Sequence, residues 1–185
     1  MMRCVLVAVV SMLSGVALAK DGPATTQAST KPAAAWATSE DGALSLRIWA
    51  EPEVVGAAEP IVLVAEMRNN TKAPIEVLRP FGDSYQMMLH NIQIMGPNGK
   101  VPYSGPYKSY VLGAAAFARI EAGGTLRDAM KLPVIYFEKS NVAGAYSMVI
   151  RWEAGQSESQ TAARAGFKNL WTGSIEGIVV NVRKK

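Results

Sequence analysis

Gly144-Ala145-Tyr146-Ser147-Met148-Val149-Ile150-Arg151-Trp152 is the stretch whose reading decides the fold. In an extended backbone successive side chains point to opposite faces, so Tyr146, Met148, Ile150 and Trp152 share one side. Ala145, Ser147, Val149 and Arg151 share the other. The first set is large and apolar, as a strand with one face on a core requires. Just upstream, Asn141-Val142-Ala143-Gly144 has the composition of a turn, so the chain reverses before this strand begins.

The same period of two recurs along the chain. Leu44, Leu46 and Ile48 alternate with Ser45, Arg47 and Trp49, which marks a strand ending near Glu51-Pro52. Ile61, Leu63, Ala65 and Met67 form the inward set of a second strand from Pro60 to Arg68, opposite a face that ends in Glu66 and Arg68. The cluster Asn69-Asn70-Thr71-Lys72-Ala73-Pro74 is a turn leading to a short strand, Ile75 to Leu78, and two strands joined in this way suggest a hairpin. Further strands are expected over Gln86 to Met95, Lys100 to Pro102, Phe117 to Ile120, Leu126 to Leu132, Val134 to Lys139 and Ser174 to Arg183. Ile178, Val180 and Val182 are the inward residues of the last. Glu153 to Leu170 reads as a polar connection in which Ala162 to Leu170 has room for one or two helical turns. No longer stretch past the N-terminal segment sustains an apolar stripe at helical spacing.

Short strands with turn signals about every ten residues, and no alternation of strand and helix, predict an all-β chain. The expected fold is an antiparallel β-sandwich of about seven to nine strands. Three features together give a family resemblance: a Pro-Ile strand ending in Asn-Asn, the Gly/Pro turns, and the late Gly144-x-Tyr146 strand. Over roughly Ala43 to Val182 the chain resembles exported bacterial immunoglobulin-like domains, and Tyr146 resembles their tyrosine corner. The resemblance implies a hydrogen bond from the Tyr146 hydroxyl to a nearby backbone carbonyl. It departs from antibody domains at Met148, which stands where their second cysteine would be. Function does not transfer with such a fold.

Residues 1–19 form an expected signal peptide: Arg3 in a short positive head, an apolar run from Cys4 to Val16, and Ala17-Leu18-Ala19 before Lys20. The run is shorter than the roughly 20 apolar residues of a membrane span. Cys4 is the only cysteine, so cleavage after Ala19 leaves none to pair. Residues 20–42, rich in Ala, Thr, Pro and Ser, read as a disordered linker that leaves Trp36 unplaced, and residues 43–185 as the domain. The net charge of +4 falls to +3 without Arg3. Its Lys and Arg are scattered outside Arg183-Lys184-Lys185, so nucleic acid is not an expected partner.

The candidate chemistries are few. Gly82-Asp83-Ser84 resembles a hydrolase nucleophile block, but such a serine needs a histidine base. The single histidine, His90, lies six residues on, about 20 Å away in an extended chain. Asn69-Asn70-Thr71 has the pattern of a glycosylation acceptor and the composition of a turn. Met88 and His90 alternate onto one face with Met87 on the other. A thioether and an imidazole suit Cu(I), which makes a periplasmic copper-binding protein the first alternative. Glu51, Glu53, Glu66 and Glu76 are dispersed and define no acid–base pair, and Gly123-Gly124-Thr125 lacks the spacing of a phosphate loop.

The favoured binding element is Tyr103-Ser104-Gly105-Pro106-Tyr107-Lys108-Ser109-Tyr110. Tyr103, Tyr107 and Tyr110 offer large, rigid, amphipathic contact area, while Ser and Gly adapt around them. A second alternative makes Gly105-Pro106-Tyr107 the exposed loop of a proteinase inhibitor. The sequence therefore predicts a non-catalytic exported interaction or accessory domain in the periplasm or outside the cell. It is expected to need no cofactor and to bind another envelope or extracellular protein through loops at one end of the sandwich.

Overall fold

The computed structural model describes residues 34–56, 59–81, 92–101, 112–132 and 142–185. The expected signal peptide and the expected strand from Val134 to Lys139 lie outside these residues. The chain is mostly β. Among the described residues the strands are β1 (Ala37–Thr38), β2 (Leu44–Ala50), β3 (Val54–Val55), β4 (Ile61–Asn69), β5 (Ile75–Leu78), β6 (Ile92–Gly96) and β7 (Gly99–Val101). They continue with β8 (Phe117–Ile120), β9 (Thr125–Leu132), β10 (Gly144–Ala154) and β11 (Gly173–Lys184), with the helix α1 (Gln156–Arg164) between the last two. The count exceeds the expected seven to nine because β1, β3 and β7 are edge pieces of two or three residues.

Among the described residues three sheets form, in the orders β1-β2-β4-β9, β3-β11-β10-β6-β7 and β5-β8. Alternation fixes which side of each faces the core. Tyr146, Met148, Ile150, Trp152 and Ala154 of β10 are buried, as are Leu44, Leu46, Ile48 and Ala50 of β2 and Ile61, Leu63, Ala65 and Met67 of β4. All join one hydrophobic core, giving a sandwich-like arrangement. On β11 the inward residues run Ile175, Ile178, Val180, Val182, and the gap of three is a bulge. Ile150 pairs with Ile178 but Trp152 with Ile175, and Gly177 takes up the extra residue at φ +75°. The bulge keeps both isoleucines on the core side.

Three expectations need correction. β4 and β5 are not a hairpin: β4 pairs with β2 and β9, and β5 crosses to pair with β8. The crossing is held by Asn69, fully buried, whose amide nitrogen donates to the carbonyls of Ala73 (2.7 Å), Ile120 (3.1 Å) and Glu121 (3.1 Å). The helix lies earlier than Ala162 to Leu170, because the Glu158 carboxylate accepts from the Gly155 N–H (2.9 Å) and starts the first turn there. Finally, the pairing is not wholly antiparallel, since β3 runs parallel to β11 at the sheet edge.

The N-terminal boundary also moves. β1 pairs with β2, placing Ala37 opposite Leu46 inside the stretch whose composition suggests a linker. Low apolar content there is offset by backbone pairing and by Ser39, whose N–H donates to the Leu44 carbonyl at 2.9 Å.

The Tyr146 ring is buried and its hydroxyl donates to the Val142 carbonyl at 2.7 Å, four residues upstream. Tyr146→Phe removes that donor and is expected to cost about 1 kcal/mol or somewhat more, read as a lower urea midpoint. An unchanged midpoint would show that the bond contributes nothing net.

Candidate functional site

Tyr103, Tyr107 and Tyr110 lie outside the described residues, as do Ser84, Met87, Met88 and His90. Among the described residues no group of three His, Cys, Asp or Glu side chains is placed to hold a metal ion. Nor is any helix among them long and apolar enough to cross a membrane.

What the described residues do assemble is an outward face on the first sheet. The antiparallel registers put Arg47 opposite Glu66 and Glu66 opposite Arg127, forming one cross-strand row over β2, β4 and β9. The next row is Trp49, Val64 and Ala129. Trp36, leading into β1, lies over this surface. The Arg47 guanidinium carbon sits 4.6 Å from the Trp36 ring centroid and 5.5 Å from that of Trp49, so the cation is held between two indoles. Arg68 stacks on Trp36 at 4.9 Å and Arg127 on Trp49 at 5.5 Å. Each such contact at an exposed site contributes about 0.5–1 kcal/mol.

Two carboxylates partly balance this charge. Glu66 accepts from Arg47 Nε at 2.7 Å and also from its Nη2. Glu51 accepts from the Trp49 indole at 3.3 Å and faces Arg127 Nη2 at 3.4 Å. Arg127 remains 64% exposed, so this pair is worth little and its guanidinium stays open to water. Stacking thus fixes the orientation of the guanidiniums. The arrangement suits contact with a negatively charged surface.

The strand period puts Arg47 and Trp49 on the polar side of β2 and names no contact for either. The available signal was Arg-x-Trp at strand spacing, which puts both side chains on one face. The link to Trp36 and Arg127 depends on pairings between distant segments, and no local pattern reveals it.

The other polar clusters serve the fold. Asn69 lies in the glycosylation pattern, yet its amide oxygen accepts from both the N–H and the hydroxyl of Thr71 at 2.8 Å while its nitrogen holds the crossing. Glycosylation would require that buried amide to be free. Asp41 accepts from the Ser39 hydroxyl (2.6 Å), the Ala43 N–H (3.0 Å) and the Trp171 indole (2.8 Å), and Trp171 stacks on Trp152. The buried indole N–H of Trp152 has no acceptor among the described residues. On the second sheet Met95, Val149 and Val179 face solvent, with Val149 directly opposite Val179.

The hydrogen bonds to Asp41, that from Ser39 first, hold its carboxyl below the usual carboxylate range. A depressed folded-state value stabilises the fold above the unfolded-state value of about 3.9, and this is lost as pH falls through the folded value. Asp41→Asn should therefore lower stability at pH 7 and matter progressively less below about pH 4, as followed by urea midpoints across pH. A difference that does not change with pH would mean that the charge plays no part.

No protein-family model matches this chain, and no curated protein matches it in sequence.

Proposed function

We propose that this chain is a non-catalytic exported interaction or accessory domain, built as an immunoglobulin-like β-sandwich, whose partner is another envelope or extracellular protein. The observation that carries this reading is the Arg–Trp surface on β2, β4 and β9. Arginine and tryptophan are enriched where proteins hold one another, and here they stand in fixed orientations on paired strands. The hydrogen bond from Tyr146 supports the immunoglobulin-like assignment. Export rests on the signal-like residues 1–19. The loop with Tyr103, Tyr107 and Tyr110 belongs to the same reading as the binding element expected at one end of the sandwich.

Replacing Tyr103, Tyr107 and Tyr110 together with Ser tests the loop. The expected result is loss of partner capture with thermal stability nearly unchanged. Intact capture, or a large fall in stability, would remove the loop from the contact surface.

A further inference from the structure

We infer that the outward face of β2, β4 and β9 takes an extended acidic segment of the partner protein, with acidic residues at two positions that flank an apolar one. This rests on the reading of the chain as an interaction domain and adds the chemistry of what it binds.

The spacing is set by β9. Arg127, Ala129 and Lys131 are exposed and alternate with the more buried Leu126, Asp128, Met130 and Leu132. They pair in turn with Glu66, Val64 and Val62 of β4. At a rise of about 3.4 Å per residue, side chains on one face repeat every 6.8 Å or so. The face therefore reads cation, apolar row, cation at that repeat, and across the buried Val64 the apolar row continues from Ala129 to the half-buried Trp49. An extended peptide has the same repeat on its own face. A sequence of acidic residue, any residue, apolar residue, any residue, acidic residue would lie over the three rows in step. Arg68, two pairs further along β4 and diagonal to Arg127, extends the positive side.

Charge complementarity selects the occupant. The four cations Arg47, Arg68, Arg127 and Lys131 outnumber Glu51 and Glu66, and Glu66 is already held by Arg47. A basic or neutral segment would leave Arg68 and Lys131, which face no carboxylate among the described residues, without a counter-charge. A flat polyanion without apolar groups would leave Ala129 and the half-buried Trp49 uncovered.

The test is a titration of the isotope-labelled chain, as it stands after export, with the capped peptide Ser-Glu-Ser-Val-Ser-Glu-Ser, followed by amide and arginine Nε–H chemical shifts. Saturable shifts centred on Arg68, Arg127, Ala129 and Lys131 are expected. The apparent Kd should rise by about tenfold or more in Arg127→Glu/Lys131→Glu, since two attractive pairs become repulsive. A peptide with Lys in place of both Glu should produce no such shifts. Lys131→Glu alone, at a residue outside the Arg–Trp stacks, repeats the measurement in the same direction should the double variant be unstable.

Shifts scattered over the molecule, or an affinity unchanged in the variants, would overturn the inference. Equal affinity for dextran sulfate at the same residues would also overturn it, because the surface would then read charge without the apolar row. Peptide binding lost in Arg127→Glu/Lys131→Glu with partner capture retained refutes this inference and leaves the interaction-domain reading intact. A domain that binds the peptide yet captures no partner keeps the surface chemistry and refutes that reading.

Discussion

Asn69→Ala is expected to destabilise the domain by about 3–5 kcal/mol, read as a lower urea midpoint at unchanged slope. The side chain is fully buried and works at both ends. Its nitrogen reaches the carbonyls of Ala73, Ile120 and Glu121, which belong to the crossing and to the turn after β8. Its oxygen holds Thr71 through two bonds of 2.8 Å. Alanine removes all five bonds, one of them buried and four part-buried, and leaves a small cavity, and each group left unsatisfied costs about 1–3 kcal/mol. Asn69→Asp is no rescue, because a carboxylate would face three carbonyl oxygens. A loss under about 1 kcal/mol would mean that the β4–β5 crossing is held by something else.

Gly144→Ala is expected to cost about 2–5 kcal/mol, combining backbone strain with overpacking. Gly144 has φ +149°, and a Cβ there would stand 2.3 Å from Pro97 Cγ. Pro97 belongs to the turn between β6 and β7, where Gly96 pairs with Gly99, and its ring has no flexible end to swing away. The turn and the start of β10 would have to separate, next to the buried Tyr146. The melting temperature should fall sharply. A shift of a degree or so would place the strand entry outside the parts that hold the core together.

The strands were legible because one side of each must meet the core. Ile75–Leu78 and Phe117–Ile120 begin and end where the sequence pattern puts them, and Leu44 to Ile48 and Ile61 to Met67 have the expected buried sets. Pairing was less legible. Nothing local says that Ile75 should face Ile120 and leave β4, because that choice is made by a buried amide whose partners lie 51 and 52 residues away. Two-residue strands such as β1 and β3 carry no period at all. The helix start is hidden because a glycine with a glutamate three residues on has the composition of a loop as much as of a helix cap. The Arg–Trp surface was the least legible part, since an outward Arg or Trp reads as a solvated side chain until Trp36, Arg47 and Arg127 are brought together by register.

The central claim, that this domain exists to hold another protein, is tested most directly by a photo-crosslinking residue at Ala129, on the apolar row of the proposed surface, in the full chain in its own cells. The account predicts one discrete adduct with an envelope or extracellular protein, joined within an acidic extended segment and lost in Arg127→Glu/Lys131→Glu. No adduct beyond the unirradiated control, from a domain that is exported and folded, would contradict it.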